Sequence, residues 1–295
     1  MFRVRRLLAP FVLCIALLFS EAQAFTIAWL SDTQNYHNAY KPIFDGMTQW
    51  IADNREALDI RFVFHTGDVV GSWRSEDQWR QARESMGILS SASIPFLTVC
   101  GNHDIGYRMN YANFLKYLLS LRPASMSQEY GDTGSRYELF SANGRDYIFM
   151  GIAFSNKGPG EDEVNWINGV LRQYSSRDAI IITHSYLKKS AAYTTQGKAI
   201  FEKIVKANPN VFLVLCGHCR DISYKNVQLD DDGDGDPDRT VYAILSNFQG
   251  SKAGGGGYMR ILDFRDSDIY IYTYSPYYDS CEYPKGKTEA TVPLP

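Results

Sequence analysis

Several short apolar segments of this chain end directly at a carboxylate, amide or imidazole side chain. The segments that share this design are 27–32, 61–68, 94–104, 179–184 and 211–218. Each has the length and composition of a buried β-strand. Because open α/β folds bind ligands at the carboxyl edge of a sheet, we expect the polar ends of these strands to converge there.

Amphipathic segments separate the first three strands. Apolar side chains recur at helical spacing in two groups: Ile43, Phe44, Met47, Trp50 and Ile51, then Trp79, Ala82, Met86 and Leu89. Strands that alternate with such helices predict parallel βαβ units. We interpret the two apolar stripes as core packing.

The second half of the chain has a mixed pattern. Asn143-Gly144 lies between strand-like segments at 136–140 and 147–154, and this dipeptide favours a tight hairpin turn. Helices are predicted at 164–171 and 200–205, and antiparallel strands at 240–245, 258–264 and 269–274. We therefore predict an α/β fold, one domain over residues 25–295, in which two sheets stack with helices outside.

The first 24 residues have the pattern of a secretory signal peptide. Met1–Arg6 is basic, residues 7–19 are apolar, and Ala22-Gln23-Ala24 resembles a cleavage site. We expect a secreted or periplasmic protein that begins near Phe25, with no transmembrane segment once residues 1–24 are removed. An uncleaved membrane anchor is the alternative.

Charge and cysteine content limit the possible partners. Removal of residues 1–24 would take away three arginines and one glutamate, so the formal net charge would change from −3 to −5. No basic face for nucleic acid is expected. Among the remaining cysteines, we predict buried free thiols at Cys100 and Cys216, and Cys219 with Cys281 as the more plausible disulfide.

The strand ends supply a mixed set of oxygen and nitrogen donors. The candidate ligands are Asp32, Gln34, Asp68, Asn102, His184 and His218. Manganese, iron and zinc accept imidazole together with oxygen donors, so we expect one or two divalent ions of this kind. A lone histidine at a strand end is more often structural, but several histidines and aspartates at strand ends favour a metal site.

These motifs resemble those of the calcineurin-like metallophosphoesterase superfamily, whose pattern is D-x-H, GD, GNH[DE], H, GHxH. The chain supplies Asp32, Gly67-Asp68, Gly101-Asn102-His103-Asp104, His184 and Gly217-His218 in that order, and the resemblance spans about residues 25–275. It implies a four-layer α/β/β/α sandwich of two mixed sheets. It also implies hydrolysis of phosphate monoesters or diesters at a dinuclear metal centre.

The resemblance also implies roles for the motif residues. Asp68 would bridge two metals, one completed by Asn102, His184 and His218, and the other held by Asp32 and Gln34. His103 would act as general acid, oriented by the Asp104 carboxylate. The alternative is that Asp104 only caps a turn while His103 faces solvent.

Two positions depart from the superfamily pattern. Gln34 stands where the family usually has histidine, and Arg220 replaces the second histidine of GHxH. An arginine cannot ligate a cation. Arg220 could clamp a phosphate oxygen beside one remaining metal, or point away from a weakened second metal. In the third reading, the protein is a catalytically weakened, metal-containing binding protein of the same fold.

An acidic segment offers a separate candidate cation site. Asp230, Asp232, Asp234 and Asp238 alternate as in a calcium loop, but Val241 occupies the place of the final glutamate. Two interpretations of this segment remain: it binds calcium, or it is a hairpin tip exposed to solvent. An adhesion module stabilised by calcium is a third class of function, and it explains none of the strand-end residues. His65, inside the second strand, is expected to be a core histidine.

Overall fold

The structure is a computed structural model that describes residues 24–106, 108–121, 127–284, 286 and 288–295. Apart from Ala24, the segment expected to be a signal peptide lies outside the described residues. Among the helices of this described part, none combines the length and apolar character needed to cross a membrane.

The described elements alternate between strands and helices in the first half of the chain. The strands are β1 Phe25–Leu30, β2 Ile60–His65, β3 Phe96–Thr98, β4 Ser127–Tyr130, β5 Ser135–Ala142, β6 Arg145–Ile152, β7 Asp178–Thr183, β8 Val211–Cys216, β9 Asp221–Leu229, β10 Arg239–Asn247, β11 Met259–Phe264, β12 Asp268–Tyr274 and β13 Ala290–Pro293. The α-helices are α1 Lys41–Asp53, α2 Glu76–Ser91, α3 Asn102–Ile105, α4 Ala112–Tyr117, α5 Glu161–Gln173 and α6 Thr195–Ile200, and α6 continues as a π-helical turn over Phe201–Val205.

Two mixed sheets form the centre of the molecule. The first has the strand order β13-β12-β11-β1-β2-β3, and β1, β2 and β3 are mutually parallel. The second has the order β4-β5-β6-β7-β8-β10-β9, with β6, β7, β8 and β10 parallel to one another. Since parallel strands end at the same edge, the loops after β1, β2 and β3 lie together, as do those after β7 and β8.

Three apolar clusters show the layering. In β1, Ala28 and Leu30 pack with residues of α1 and α2, whereas Ile27 and Trp29 pack between the two sheets. The strand alternates between two apolar faces because successive side chains point to opposite sides of a sheet. A third cluster joins β6, β7 and β8 to α5 and α6. The predicted α/β/β/α sandwich is therefore confirmed.

Several local predictions are also confirmed. The buried faces of α2 and α5 contain the predicted apolar residues, among them Trp79, Met86 and Ile167. Asn143 and Gly144 both have positive φ, 54° and 74°, and close the hairpin between β5 and β6. Positive φ at both positions is the requirement of a two-residue turn of this type.

The C-terminal strands differ in part from the prediction. β10 was expected to be antiparallel, but it pairs in parallel with β8 and antiparallel only with β9. β9 and β13 were not predicted. Alternation of apolar side chains identifies a strand but carries no information about the direction of its neighbours, which explains the error.

Candidate metal centre

The polar ends of three strands meet where the edges of the two sheets adjoin. Asp68 follows β2, while His184 and His218 follow β7 and β8. One ligand atom from each of these residues lies within 4.8 Å of the others. The convergence expected from the sequence is therefore present for these residues.

His184 is at the middle of this cluster and is fully buried. Its Nδ1 atom lies 2.8 Å from the carbonyl oxygen of Thr66, so Nδ1 carries the proton and donates it. Nε2 faces three groups: Asn102 Oδ1 at 3.1 Å, His218 Nδ1 at 3.2 Å and Asp68 Oδ2 at 3.3 Å. A backbone carbonyl that fixes the tautomer of a histidine is typical of metal ligands.

The spacing of these atoms fits a shared cation. With ligands about 2.1 Å from the ion, neighbouring ligand atoms lie roughly 3.0–3.4 Å apart in octahedral or tetrahedral geometry. The distances around His184 Nε2 lie in this range. A single imidazole proton could not satisfy three acceptors at once. The residues present therefore fit one divalent cation bound by Asp68, Asn102, His184 and His218.

The charges of the cluster favour the same conclusion. Burial disfavours the charged form of His184, but the carboxylates of Asp68 and Asp32 outweigh burial and raise its pKa to about 9. Burial raises the pKa of Asp32 to about 7, with attraction to His184 opposing this and repulsion from Asp68 adding to it. Burial and the charge of His184 lower the pKa of His218 to about 4. A divalent cation at Nε2 would replace the second imidazole proton of His184 and supply the positive charge that the two buried carboxylates require.

The turns that carry these side chains have unusual backbone geometry. Asp32, Asp68 and His218 have positive φ angles of 52°, 53° and 69°. This region is uncommon for residues other than glycine, and strained residues of this kind cluster at functional sites. The turns also approach each other closely, since a Cβ added at Gly217 would lie 2.3 Å from Asp32 Oδ2.

Asp32 connects the loop after β1 to the loop after β8. Both of its carboxylate oxygens lie 3.2 Å from the backbone nitrogen of His218, and Oδ2 also accepts a hydrogen bond from the Ser31 hydroxyl. The carboxylate is 1% exposed. Asp32 thus lies beside the cluster and holds His218 in place through its backbone.

Gln34 reaches the cluster through its amide nitrogen. Nε2 lies 3.1 Å from Asp68 Oδ2 and 2.6 Å from Gln249 Oε1. Gln249 follows β10 and was not identified as a site residue from the sequence. Its distance from Gln34 along the chain, 215 positions, left no local signal for this contact.

The prediction that Asp104 orients His103 is wrong. Asp104 is buried, and Oδ1 accepts hydrogen bonds from the backbone nitrogens of Val69 and Val70 at 2.9 and 3.0 Å. Oδ2 accepts one from Gly101 at 2.8 Å. Asp104 therefore caps two backbone turns, because unpaired buried N–H groups are costly and a carboxylate satisfies three of them.

His103 is exposed and is oriented by a backbone carbonyl instead. Its Nδ1 atom lies 3.0 Å from the carbonyl oxygen of Gly71. Its own backbone nitrogen donates to Asp68 Oδ1 at 2.9 Å. Asp68 thereby connects the position of His103 to the metal cluster. The side chain of His103 lines the adjoining cleft.

The cleft beside the cluster has a volume of about 420 Å³. Its walls include Trp73, Phe154 and Asn156 together with His103 and His218. The Phe154 ring lies 5.7 Å from the ring of His184 and 5.9 Å from that of His218, measured between centroids. Trp73, Phe154 and Asn156 were not proposed from the sequence, although Phe154 lies just past the end of β6, at the same edge as the ligands.

Arg220 lies outside the walls of this cleft. Its side chain is exposed, and its Cδ atom would be 3.5 Å from a Cβ added at Gly250. The stem of Arg220 thus passes the backbone next to Gln249. Its expected role as a phosphate clamp stays a prediction.

His65 has the structural role expected from the sequence. It is buried, its Nδ1 atom accepts a hydrogen bond from the Gly67 nitrogen at 3.1 Å, and Nε2 lies 2.9 Å from Thr33 Oγ1. Burial lowers its pKa to about 3, and the charge of His184 contributes to this. A neutral His65 therefore connects the loops that carry Asp32 and Asp68.

The acidic loop remains a predicted calcium site. Carboxylate oxygens of Asp230, Asp232 and Asp238 lie within 4.8 Å of one another, but all three residues are exposed. Both oxygens of Asp230 and one of Asp238 already accept backbone hydrogen bonds within the loop. These contacts are those of a solvated turn, and the structure adds no support for calcium.

The cysteines differ in one respect from the prediction. Cys100 and Cys216 are buried free thiols, as expected. The predicted disulfide between Cys219 and Cys281 is wrong, because both are free. Cys219 packs against the apolar cluster that joins β6, β7 and β8 to α5 and α6, whereas Cys281 is exposed.

Comparison with known proteins finds a matching family and a relative of this chain. A family model described as calcineurin-like phosphoesterase matches residues 25–219. The uncharacterized protein YvnB of Bacillus subtilis (strain 168) is 41% identical over 259 residues, which cover 86% of this chain and 20% of YvnB. The chain thus spans about a fifth of the length of this curated relative.

Solved structures share the fold at low sequence identity. A dimetal phosphatase from Danio rerio has a TM-score of 0.61 and 12% identity, over 91% of this chain and 98% of that protein. GAP50 of Plasmodium, described as the anchor in the inner membrane complex, has a TM-score of 0.59 and 14% identity, over 92% of this chain and 89% of its own. At these identities the likeness shows the two-sheet fold alone.

Proposed function

Because the chain belongs to the calcineurin-like phosphoesterase family, we propose that it hydrolyses phosphate esters with the help of a divalent cation. The substrates are monoesters or diesters of phosphate. The proposal rests on one observation: Asn102, His218 and Asp68 surround His184 Nε2 at ligand-to-ligand distances. These residues would hold the cation. Their mixture of imidazole and oxygen donors favours manganese, iron or zinc.

A cation bound there supplies Lewis acidity to a phosphoryl oxygen and makes an attacking water more acidic. The chain positions the ligands for this purpose. The Thr66 carbonyl fixes the tautomer of His184, and the Asp32 carboxylate holds the backbone of His218. Both contacts are preformed, so little reorganisation is needed when substrate binds.

His103 is proposed as the general acid. The Gly71 carbonyl holds Nδ1–H, which leaves Nε2 as the nitrogen that delivers a proton to the leaving oxygen. The ring is exposed at the cleft, where a leaving group has access to it. A general acid needs a fixed and accessible ring, and the Gly71 contact and the exposure of His103 support this role.

The cleft walls suggest how the leaving group is held. Trp73 and Phe154 lie on the walls of a cleft that also contains His103. Aromatic side chains bind apolar or planar groups, so we propose that esters with such leaving groups are preferred to small alkyl phosphates.

The N-terminal pattern supports export. β1 begins at Phe25, so cleavage after Ala24 would leave that strand whole. Mass spectrometry of the protein recovered from the periplasm or medium tests this proposal. A mature N-terminus at Phe25 is expected, and an intact Met1 on a membrane-bound protein would contradict it.

A metal-containing binding protein of the same fold is the second candidate. The Gln34 nitrogen donates to Asp68, and Arg220 stands in the place of a ligand. Both features weaken a dinuclear centre. GAP50, which is described as an anchor, has this fold, so the fold by itself does not require hydrolysis.

Hydrolysis of mono- and bis-p-nitrophenyl phosphate with added Mn²⁺ tests the enzyme against the binding protein. We expect turnover in the wild type and its loss in Asp68→Asn and His184→Ala. His37→Ala is the matched control, since His37 is not among the residues described as lining the cleft. Turnover that is equal in all four proteins would come from a contaminant and would remove the support for the enzyme.

A further inference from the structure

The side-chain amides of Gln34 and Gln249 form a pair beside the metal cluster. Gln34 Nε2 lies 2.6 Å from Gln249 Oε1 and 3.1 Å from Asp68 Oδ2. Both partners are acceptors, so the amide of Gln34 directs its two N–H groups toward them. Gln34 is 4% exposed, so bulk water competes little for these hydrogen bonds.

The reverse orientation of the amide is unfavourable. It would place Gln34 Oε1 against the Asp68 carboxylate, which can only accept hydrogen bonds. In the observed orientation, Gln34 Oε1 is buried without a hydrogen-bond partner among the described residues. A donor contact to a carboxylate is stronger than a neutral hydrogen bond, so the two N–H contacts outweigh the single unpaired oxygen.

Three contacts occupy the Asp68 carboxylate, and the Gln34 amide makes one of them. Oδ1 accepts from the His103 nitrogen at 2.9 Å. Oδ2 faces the His184 side of the cluster and also accepts from Gln34. Gln34 therefore occupies the side of Oδ2 that does not face His184, where a bridge to a second cation would form.

The other residues expected at a second cation are also engaged or displaced. Both oxygens of Asp32 accept hydrogen bonds from the His218 nitrogen, and Ser31 donates to Oδ2. Arg220, in place of a histidine, is exposed beside Gly250. The residues present thus fit one cation and do not fit two.

We propose that this chain binds one divalent cation, through Asp68, Asn102, His184 and His218, and that the Gln34 amide, held by Gln249, occupies the position of a second. The inference rests on the proposed function and deepens it. In place of a second cation, the Gln34 N–H group gives Asp68 Oδ2 a neutral donor.

Metal content measured by mass spectrometry after dialysis against Mn²⁺, together with the electron paramagnetic resonance of bound Mn²⁺, tests the number of ions. We expect one Mn²⁺ per chain and the spectrum of an isolated ion. Two ions per chain with an exchange-coupled spectrum would overturn the inference, and so would the absence of bound metal.

Two variants locate the ion. Gln34→Ala is expected to retain one Mn²⁺ per chain, whereas His184→Ala loses it. Circular dichroism shows whether each variant is folded. Loss of the ion from folded Gln34→Ala would place it on the side of Asp32 and Gln34, and would overturn the inference.

A gain of metal provides a converse test. Changing Gln34→His together with Arg220→His restores the superfamily pattern, and we expect a second ion and an exchange-coupled spectrum. A folded double variant that still binds one ion would overturn the assignment of Gln34 as the residue that closes this position.

Hydrolysis measured on the same preparations separates this inference from the proposed function. One ion without turnover above the Asp68→Asn variant would overturn the proposed function and leave the inference standing. Turnover by a protein that binds two ions per chain would overturn the inference and leave the proposed function standing.

Discussion

Asp104 Oδ1 accepts a hydrogen bond from the backbone nitrogen of Val69 at 2.9 Å, although Asp104 is 35 positions away in the chain. The same carboxylate binds Val70 and Gly101. It connects the loop that carries Asp68 to the turn that carries His103. The geometry of the metal centre therefore depends on a residue that contacts neither the expected cation nor the leaving group.

The first prediction concerns Asp104→Asn, which keeps the shape of the side chain. One oxygen becomes an amide nitrogen, which cannot accept from the backbone N–H groups that face it, so we expect a loss of about 1–3 kcal/mol in the free energy of unfolding. Urea denaturation measures this loss. A variant of unchanged stability with reduced turnover would instead favour a direct role in orienting His103.

The second prediction concerns His103→Ala and the leaving group. A general acid matters most for a leaving oxygen that is a poor anion, so we expect turnover of phenyl phosphate to fall by about 10²–10⁴-fold. Turnover of p-nitrophenyl phosphate should fall much less, because p-nitrophenolate leaves without a proton. His37→Ala is the control. Equal losses for both esters would assign His103 to holding the phosphate.

The third prediction concerns metal removal. A cation that binds only the folded protein stabilises it by about 2.7 kcal/mol when its concentration is 100 times its Kd. Addition of Mn²⁺ to chelator-treated protein should therefore raise the melting temperature, as measured by calorimetry. His184→Ala should show no such increase. An increase of the same size in this variant would place the stabilising ion elsewhere.

The fourth prediction uses two glycine substitutions. In Gly217→Ala the new Cβ would lie 2.3 Å from Asp32 Oδ2, so we expect a loss of about 1–3 kcal/mol of stability and weaker metal binding. Gly87→Ala in α2 meets nothing within 4 Å and should stabilise the protein by about 0.5–1 kcal/mol. Thermal unfolding of both variants provides the comparison. Similar effects in the two would contradict the close approach at Gly217.

The fifth prediction concerns pH and His65. Its pKa is lowered to about 3 in the folded protein from an ordinary value of 6.5, so the unfolded chain binds the proton more strongly between these values. The stabilisation is complete above pH 6.5 and is lost as the pH falls toward 3, by about 1.4 kcal/mol per pH unit. His65→Gln should reduce this slope in denaturation curves measured between pH 6.5 and 4.5. An unchanged slope would exclude His65 as the source.

Local sequence was sufficient to predict the strands that lead into the site and the residues that end them. Asp68 and His218 follow apolar runs, and each run is read from its own composition without reference to the rest of the chain. The same holds for the β5–β6 hairpin, since Asn143 and Gly144 favour the turn by themselves. The direction of β10 relative to β8 could not be read in this way, because strand pairing depends on segments far apart in the chain.

The sequence by itself determined which residues stand at the sheet edge, because strand ends and turn residues are local properties. Only the tertiary structure decided what each side chain contacts there. Asp104 caps backbone turns, the Gly71 carbonyl orients His103, and Gln249 holds Gln34 across 215 positions. Hydrogen-bond partners are set by distances of about 3 Å between distant segments, and these distances exist only after the strands have paired and the two sheets have packed.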